Sequence, residues 1–84
     1  MHEGAVCREI MDIVDRSARE NGIRKVHEIV IGVGPWAGIH ADQLNFYFDI
    51  LRRDTCMSEA VIRLEKEEGL TGTSQMYIKN YRGE

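Results

Sequence analysis

The residues with the most evident chemistry are the first three of the chain, Met1, His2 and Glu3. An α-amine followed by histidine is a chelating unit, because the amine, the amide nitrogen of His2 and its imidazole can close two adjacent rings around one ion. Initiator methionine is normally removed only before small residues, so Met1 is expected to remain and to supply the amine. A deprotonated amide favours planar coordination, which suits Ni(II) and Cu(II) rather than Zn(II) or Mg(II). Three donors leave one position open, as expected for an ion that is held and then released.

The composition indicates one small globular domain and argues against several classes of function. The chain has 84 residues, of which 43% are hydrophobic and 30% charged, and its net charge is −3. A nucleic-acid interface needs a basic face, a membrane span needs about 20 apolar residues, and a signal peptide needs a basic segment before an apolar one. The sequence has none of these patterns. We therefore expect a cytoplasmic protein that binds neither nucleic acid nor membrane.

The two cysteines, Cys7 and Cys56, are predicted to be free thiols in a reducing compartment. The chain has no Cys-x-x-Cys pair, so it cannot build a zinc knuckle by itself. Cys7 falls on or beside the apolar face of the first predicted helix. It either packs there as a small hydrophobic residue or binds metal as a thiolate. Cys56 is expected to be a boundary residue after the second helix.

Hydrophobic periodicity predicts two helices. The first covers residues 3–20, with Glu3 in its first turn, where the helix dipole favours an acid, and with Asn21-Gly22 as its C-terminal stop. The second covers residues 40–53 and carries an apolar stripe, which consists of Leu44, Tyr47, Phe48 and Leu51 and is widened by Phe46 and Ile50.

Three segments have the pattern of β-strands. Residues 26–33 are rich in β-branched side chains and are predicted to be largely buried, whereas residues 60–65 and 76–81 alternate. A helical crossover permits the first two strands to be parallel, and the last two would most simply form an antiparallel hairpin. The predicted fold is α+β, in the order α-β-α-β-β, with a three-stranded mixed β-sheet and two α-helices packed on one face. An exposed strand edge is compatible with a homodimer.

In their order along the chain, these motifs resemble the HypA/HybF family of nickel-insertion proteins. The matching segments are Met1-His2-Glu3, the strand VHEIVIGVG, a loop ending in AGI and a helix carrying LNFYFD. The resemblance implies a nickel metallochaperone, not an enzyme, that holds Ni(II) at the terminal unit during maturation of NiFe hydrogenase, or of urease in some organisms. It also implies two partners, the nickel-maturation GTPase and the hydrogenase large subunit.

Two departures from the family pattern affect the expected metal chemistry. Several members have an acidic residue before the second helix, and His40 stands at that position here, with Asp42 the next carboxylate. Because imidazole is a better nickel donor than carboxylate, His40 is either the fourth ligand or a plain helix-start residue. The family's zinc domain is replaced by the short turn 68–74. We therefore expect one nickel-binding domain over residues 1–84 and no zinc.

Three alternatives stay open at this point. The chain could be a zinc-less adaptor of the same lineage that binds maturation partners without delivering metal, or an α+β interaction domain in which the Met-His-Glu start is coincidental. Copper could also be the native ion, because the same nitrogens bind Cu(II) more tightly. Of the other candidate residues, His27 is predicted to be a strand-face residue, and Trp36 either plugs the sheet or contacts a partner.

Overall fold

The computed structural model describes residues 3–35, 37–70 and 76–84 of the chain. These residues form two helices and three strands in the predicted order. The elements are α1 (Glu3–Glu20), β1 (Val26–Val33), α2 (Ala41–Leu51), β2 (Val61–Lys66) and β3 (Met76–Gly83). No helix in these ranges is long and apolar enough to cross a membrane.

The three strands form one mixed sheet in the order β2-β1-β3. Strand β1 is parallel to β2 and antiparallel to β3, which confirms the predicted mixed sheet and its parallel crossover. The predicted hairpin between the last two strands is wrong, because β3 pairs with the opposite edge of β1. Strand β1 is nearly all buried, whereas most residues of β2 and β3 are at least partly exposed. The most apolar strand therefore occupies the centre, where it has a neighbour on each side.

The core lies between the helices and one face of the sheet, as predicted. Ile29, Ile31 and Val33 alternate along β1 and belong to the core cluster. Helix α1 contributes a buried stripe at helical spacing, which consists of Cys7, Ile10, Met11, Val14 and Ala18. The two helices also pack against each other, and Gly4 at the start of α1 lies beside Tyr47 of α2.

Helix α2 is shorter and buries a narrower face than the sequence indicated. It ends at Leu51, followed by Arg52 as C-cap and by Asp54 with a left-handed φ of 62°. Leu44 and Phe48 are fully buried, and Leu51 is partly buried against the core. The remaining side chains of the predicted stripe are exposed, namely Phe46 (63%), Tyr47 (41%) and Ile50 (51%). Only one side of this helix meets α1 and β2, which leaves the remaining apolar residues at the surface.

The second face of the sheet carries ion pairs among the described residues. Arg63 on β2 lies 3.5 Å from Glu28 and 2.8 Å from Glu65. Lys79 on β3 lies 2.9 Å from both Glu65 and Glu67. These pairs link the three strands on the side that the helices do not cover.

Candidate metal centre

The beginning of α1 is the part of the predicted metal unit that the structure describes. Helix α1 starts at Glu3, which is half-buried and provides an acidic side chain in the first turn. Amides in the first turn of a helix have no carbonyl partner within the helix, so the Glu3 nitrogen has no intrahelical hydrogen bond to lose. Met1 and His2 lie outside the described residues, and their predicted role stays a prediction.

A shallow pocket of about 420 Å³ lies where the first turn of α1 meets the beginning of α2. It is lined by Glu3 and by four residues that share one face of α2, namely Asp42, Gln43, Phe46 and Tyr47. The pocket therefore brings two carboxylic side chains, one from each helix, to the same place. Carboxylate oxygens can serve as metal donors or accept hydrogen bonds from metal-bound groups.

His40, the predicted fourth ligand, lies just before α2. It has extended backbone (φ −117°, ψ 131°), its side chain makes no capping hydrogen bond, and it is exposed. It is not one of the described residues that line the pocket with Glu3, whereas Asp42 is. The sequence indicated Asp42 only as the next carboxylate after His40, because a linear sequence does not show which neighbouring helix the first turn of α2 faces.

An aromatic side chain of α2 contacts the first turn of α1. A β-carbon placed on Gly4 would lie 3.6 Å from both Cδ1 and Cε1 of Tyr47, so the ring packs beside the Gly4 backbone. Phe46 meets the Tyr47 ring edge-on, with the ring centroids 5.5 Å apart and the planes at 84°. The sequence pattern placed Tyr47 on the apolar stripe of the second helix and did not indicate this contact. The sequence feature that could have indicated this contact is Gly4, a glycine in the first turn of the helix.

The other predicted candidates are not gathered around this pocket. Cys7 is fully buried, and burial raises the pKa of its thiol to about 11, which agrees with a packing role. The Cys56 thiol lies 3.8 Å from Asp15 Oδ1, and burial, followed by the charge of Asp15, raises its pKa. His27 is exposed on β1, 3.7 Å from the Glu84 carboxylate. Trp36 lies outside the described residues.

Within residues 3–35, 37–70 and 76–84, no group of three or more histidine, cysteine, aspartate and glutamate side chains could hold a metal ion. Side chains in these ranges therefore do not form a complete site by themselves.

Comparison with known proteins identifies the family. Residues 1–74 match the model of the family described as "Hydrogenase/urease nickel incorporation, metallochaperone, hypA". This chain belongs to the HypA family. The match confirms the resemblance seen in the sequence, and the family description is that of a metal carrier rather than an enzyme.

Curated HypA relatives agree with this assignment. The chain is 36% identical over 62 residues to hydrogenase maturation factor HypA of Actinobacillus succinogenes, covering 74% of this chain and 55% of that protein. It is 34% identical over 70 residues to the factor of Pelodictyon phaeoclathratiforme, covering 83% and 60%. The match to HybF of Klebsiella pneumoniae is 32% over 65 residues, covering 77% and 58%. The chain thus spans less than two thirds of the length of these relatives.

The HypA fold is also recognised in a solved structure. The solution structure of the Ni metallochaperone HypA from Helicobacter pylori matches with a TM-score of 0.80 and 15% identity, covering 99% of this chain and 97% of that one. At this level of identity the similarity concerns the fold, and it confirms the predicted α+β class.

Proposed function

We propose that this protein is a nickel metallochaperone for hydrogenase maturation, which holds Ni(II) at Met1, His2 and Glu3. The observation that carries the proposal is the family match, because it spans residues 1–74 and so includes the Met-His-Glu unit. Delivery to the hydrogenase large subunit, with help from the nickel-maturation GTPase, is the corresponding biological role. Urease is the second recipient that the family description names.

The proposed coordination uses the Met1 amine, the amide nitrogens of the first residues and the His2 imidazole. Two features of the described chain support it. Helix α1 begins at Glu3, and first-turn amides have no helical partner, so metal binding there breaks no helix hydrogen bond. In addition, no competing cluster of metal-binding side chains is found in the described ranges.

The fourth donor is proposed to come from the segment around the start of α2. His40 has the better nitrogen donor but is exposed on extended backbone before the helix. Asp42 has a weaker oxygen donor but lies in the pocket with Glu3. We retain His40 as the proposed ligand and treat Asp42 as the alternative. Substituting each residue separately shows which of the two supplies the fourth donor.

We further propose that residues 1–84 act as a single nickel-binding domain without zinc. The segment 68–74, which takes the place of the family's zinc domain, lies partly outside the described residues. A second candidate function rests on the turn 68–74, which is expected to stand where the family has its zinc domain. This candidate is a zinc-less adaptor that binds maturation partners without carrying metal.

The proposal is tested by titrating Ni(II) into the protein with a free Met1 amine, followed by calorimetry and absorbance. We expect one equivalent to bind with the absorbance of a planar nitrogen site, and His2→Ala to abolish that band. His27→Ala is the matched control, because it removes an exposed histidine from β1. Loss of binding in His40→Ala or in Asp42→Asn identifies the fourth donor. If the wild type binds no nickel at neutral pH, delivery is excluded and the adaptor function is the better account.

A further inference from the structure

We propose that Tyr47 is a positioning residue for the nickel site, which holds the first turn of α1 in the geometry that the terminal chelate needs. The inference rests on the proposed function, since it concerns how the same unit is kept in place. Tyr47 is not proposed as a ligand. Its role is exerted through Gly4 and Glu3, to which the preceding residues are covalently joined.

The contact between Tyr47 and Gly4 joins the two helices next to the candidate site. Ring atoms Cδ1 and Cε1 lie 3.6 Å from the position that a β-carbon of Gly4 would take, and Cγ lies 4.0 Å from it. The ring also lines the pocket that contains Glu3. Phe46 also meets the ring edge-on, with the ring centroids 5.5 Å apart.

The first turn of α1 needs an external contact of this kind. Helix ends fray, because their terminal amides have no partner within the helix. Gly4 favours fraying of this turn further, since glycine loses more conformational freedom on folding than any other residue. Gly4 also has no side chain of its own with which to pack. The Tyr47 ring provides the packing surface that the glycine does not.

An ordered first turn is expected to raise the affinity for metal, because the backbone nitrogens are then already in place before the ion binds. A chelate built on backbone nitrogens requires those nitrogens to face one point. If the first turn frays in the metal-free protein, binding has to order it, and the affinity falls by that cost. Loss of the Tyr47 ring is therefore expected to weaken nickel binding by about three- to tenfold without removing any donor atom.

The experiment compares Tyr47→Ala, Tyr47→Phe and Ile50→Ala in the protein with a free Met1 amine. Tyr47→Phe keeps the ring, and Ile50→Ala truncates another exposed side chain of the same helix. Tyr47 is 41% exposed, so its truncation leaves no closed cavity in the core. Nickel affinity and the planar-site absorbance are measured for each variant, beside His2→Ala.

Hydrogen exchange of the metal-free protein gives a readout that does not depend on nickel. The amides of Cys7 and Arg8 are the donors that helix geometry pairs with the carbonyls of Glu3 and Gly4. We expect their exchange to become faster in Tyr47→Ala and to remain at the wild-type rate in Tyr47→Phe and Ile50→Ala, while amides in the middle of α1 are unchanged.

The results separate the inference from the proposed function. Weaker nickel binding and faster exchange in Tyr47→Ala, with both properties rescued in Tyr47→Phe, support the positioning role. If the wild type binds nickel through His2 and Tyr47→Ala binds it equally well, the inference is overturned and the proposed function stands. If the wild type does not bind nickel, the proposed function fails, and unchanged exchange in Tyr47→Ala would overturn the contact's ordering role as well.

Discussion

The side-chain amide of Asn45 hydrogen-bonds both backbone groups of Ile62. Its Oδ1 accepts from the Ile62 N–H at 3.0 Å, and its Nδ2 donates to the Ile62 carbonyl at 2.9 Å. Ile62 belongs to β2, which is an edge strand. One side chain of α2 therefore pairs backbone groups that an edge strand would otherwise leave open to another chain, and it fixes α2 against the sheet.

Asn45→Ala is expected to lower the free energy of unfolding by about 1–3 kcal/mol, because it leaves two partly buried backbone groups of Ile62 without a partner. The measurement is denaturant unfolding. Gln43→Ala is the control, since Gln43 is exposed on the same helix, and it should change stability by no more than about 0.5 kcal/mol. Equal stability of the two variants would contradict the assigned role of Asn45.

The charge network on the open face of the sheet predicts a dependence of stability on pH. Hydrogen bonds from Lys79 lower the pKa of Glu65 and of Glu67 below the ordinary value of 4.5, and those carboxylates raise the pKa of Lys79 above its ordinary 10.5. A lowered carboxyl pKa stabilises the folded state above about pH 4.5, and the contribution is lost as pH falls through the folded-state pKa. The raised lysine pKa contributes below about pH 10.5 and is lost as pH rises further.

Lys79→Met should therefore be less stable than the wild type between about pH 5 and pH 10, and the difference should disappear in acid. Denaturant midpoints measured across this range check the expectation. Lys66→Met is the control, because this substitution removes an equal charge from an exposed position on β2. A Lys79→Met deficit that persists unchanged at pH 2 would show that the variant loses packing rather than charge pairing. Raised salt should reduce the deficit at neutral pH.

The two thiols should differ in reactivity, and neither should react readily at neutral pH. Cys7 is fully buried with a pKa of about 11, so it should be modified only when the protein unfolds. Cys56 is half-buried with a raised pKa, so it should react more slowly than an exposed thiol. A colorimetric thiol assay with and without denaturant measures both, and Cys56→Ser assigns the slow phase. Rapid reaction of Cys7 in the native protein would contradict its burial.

The helix and strand positions were predictable because their causes are local. The bounds of α1 and β1 follow from helical periodicity, from the stop at Gly22, whose φ is 69°, and from a run of β-branched residues. The pairing of β3 was not predictable in this way, because an alternating pattern does not specify which strand edge it joins. It depends on a contact between segments far apart in the chain.

The sequence predicts the chemistry of the candidate site, which stays a prediction, but it does not predict the surroundings of that site. The spacing of Met1, His2 and Glu3 indicates a chelating unit from the sequence alone. The pocket with Asp42 and the contact of Tyr47 with Gly4 depend on how α1 and α2 pack, which periodicity does not determine. For the same reason the periodicity places Phe46 and Ile50 beside the apolar stripe of α2, whereas both side chains are exposed in the structure.

The most direct test of the central claim is to block the Met1 α-amine by acetylation and to repeat the Ni(II) titration. Acetylation removes one proposed donor and leaves every side chain in place, including that of His2. We predict loss of the planar-site absorbance and an affinity lower by at least about 10–100-fold, since even the loss of an outer partner of a ligand costs that much. Circular dichroism checks that the fold is retained. Unchanged affinity and absorbance in the acetylated protein would contradict a nickel site built on the terminal amine.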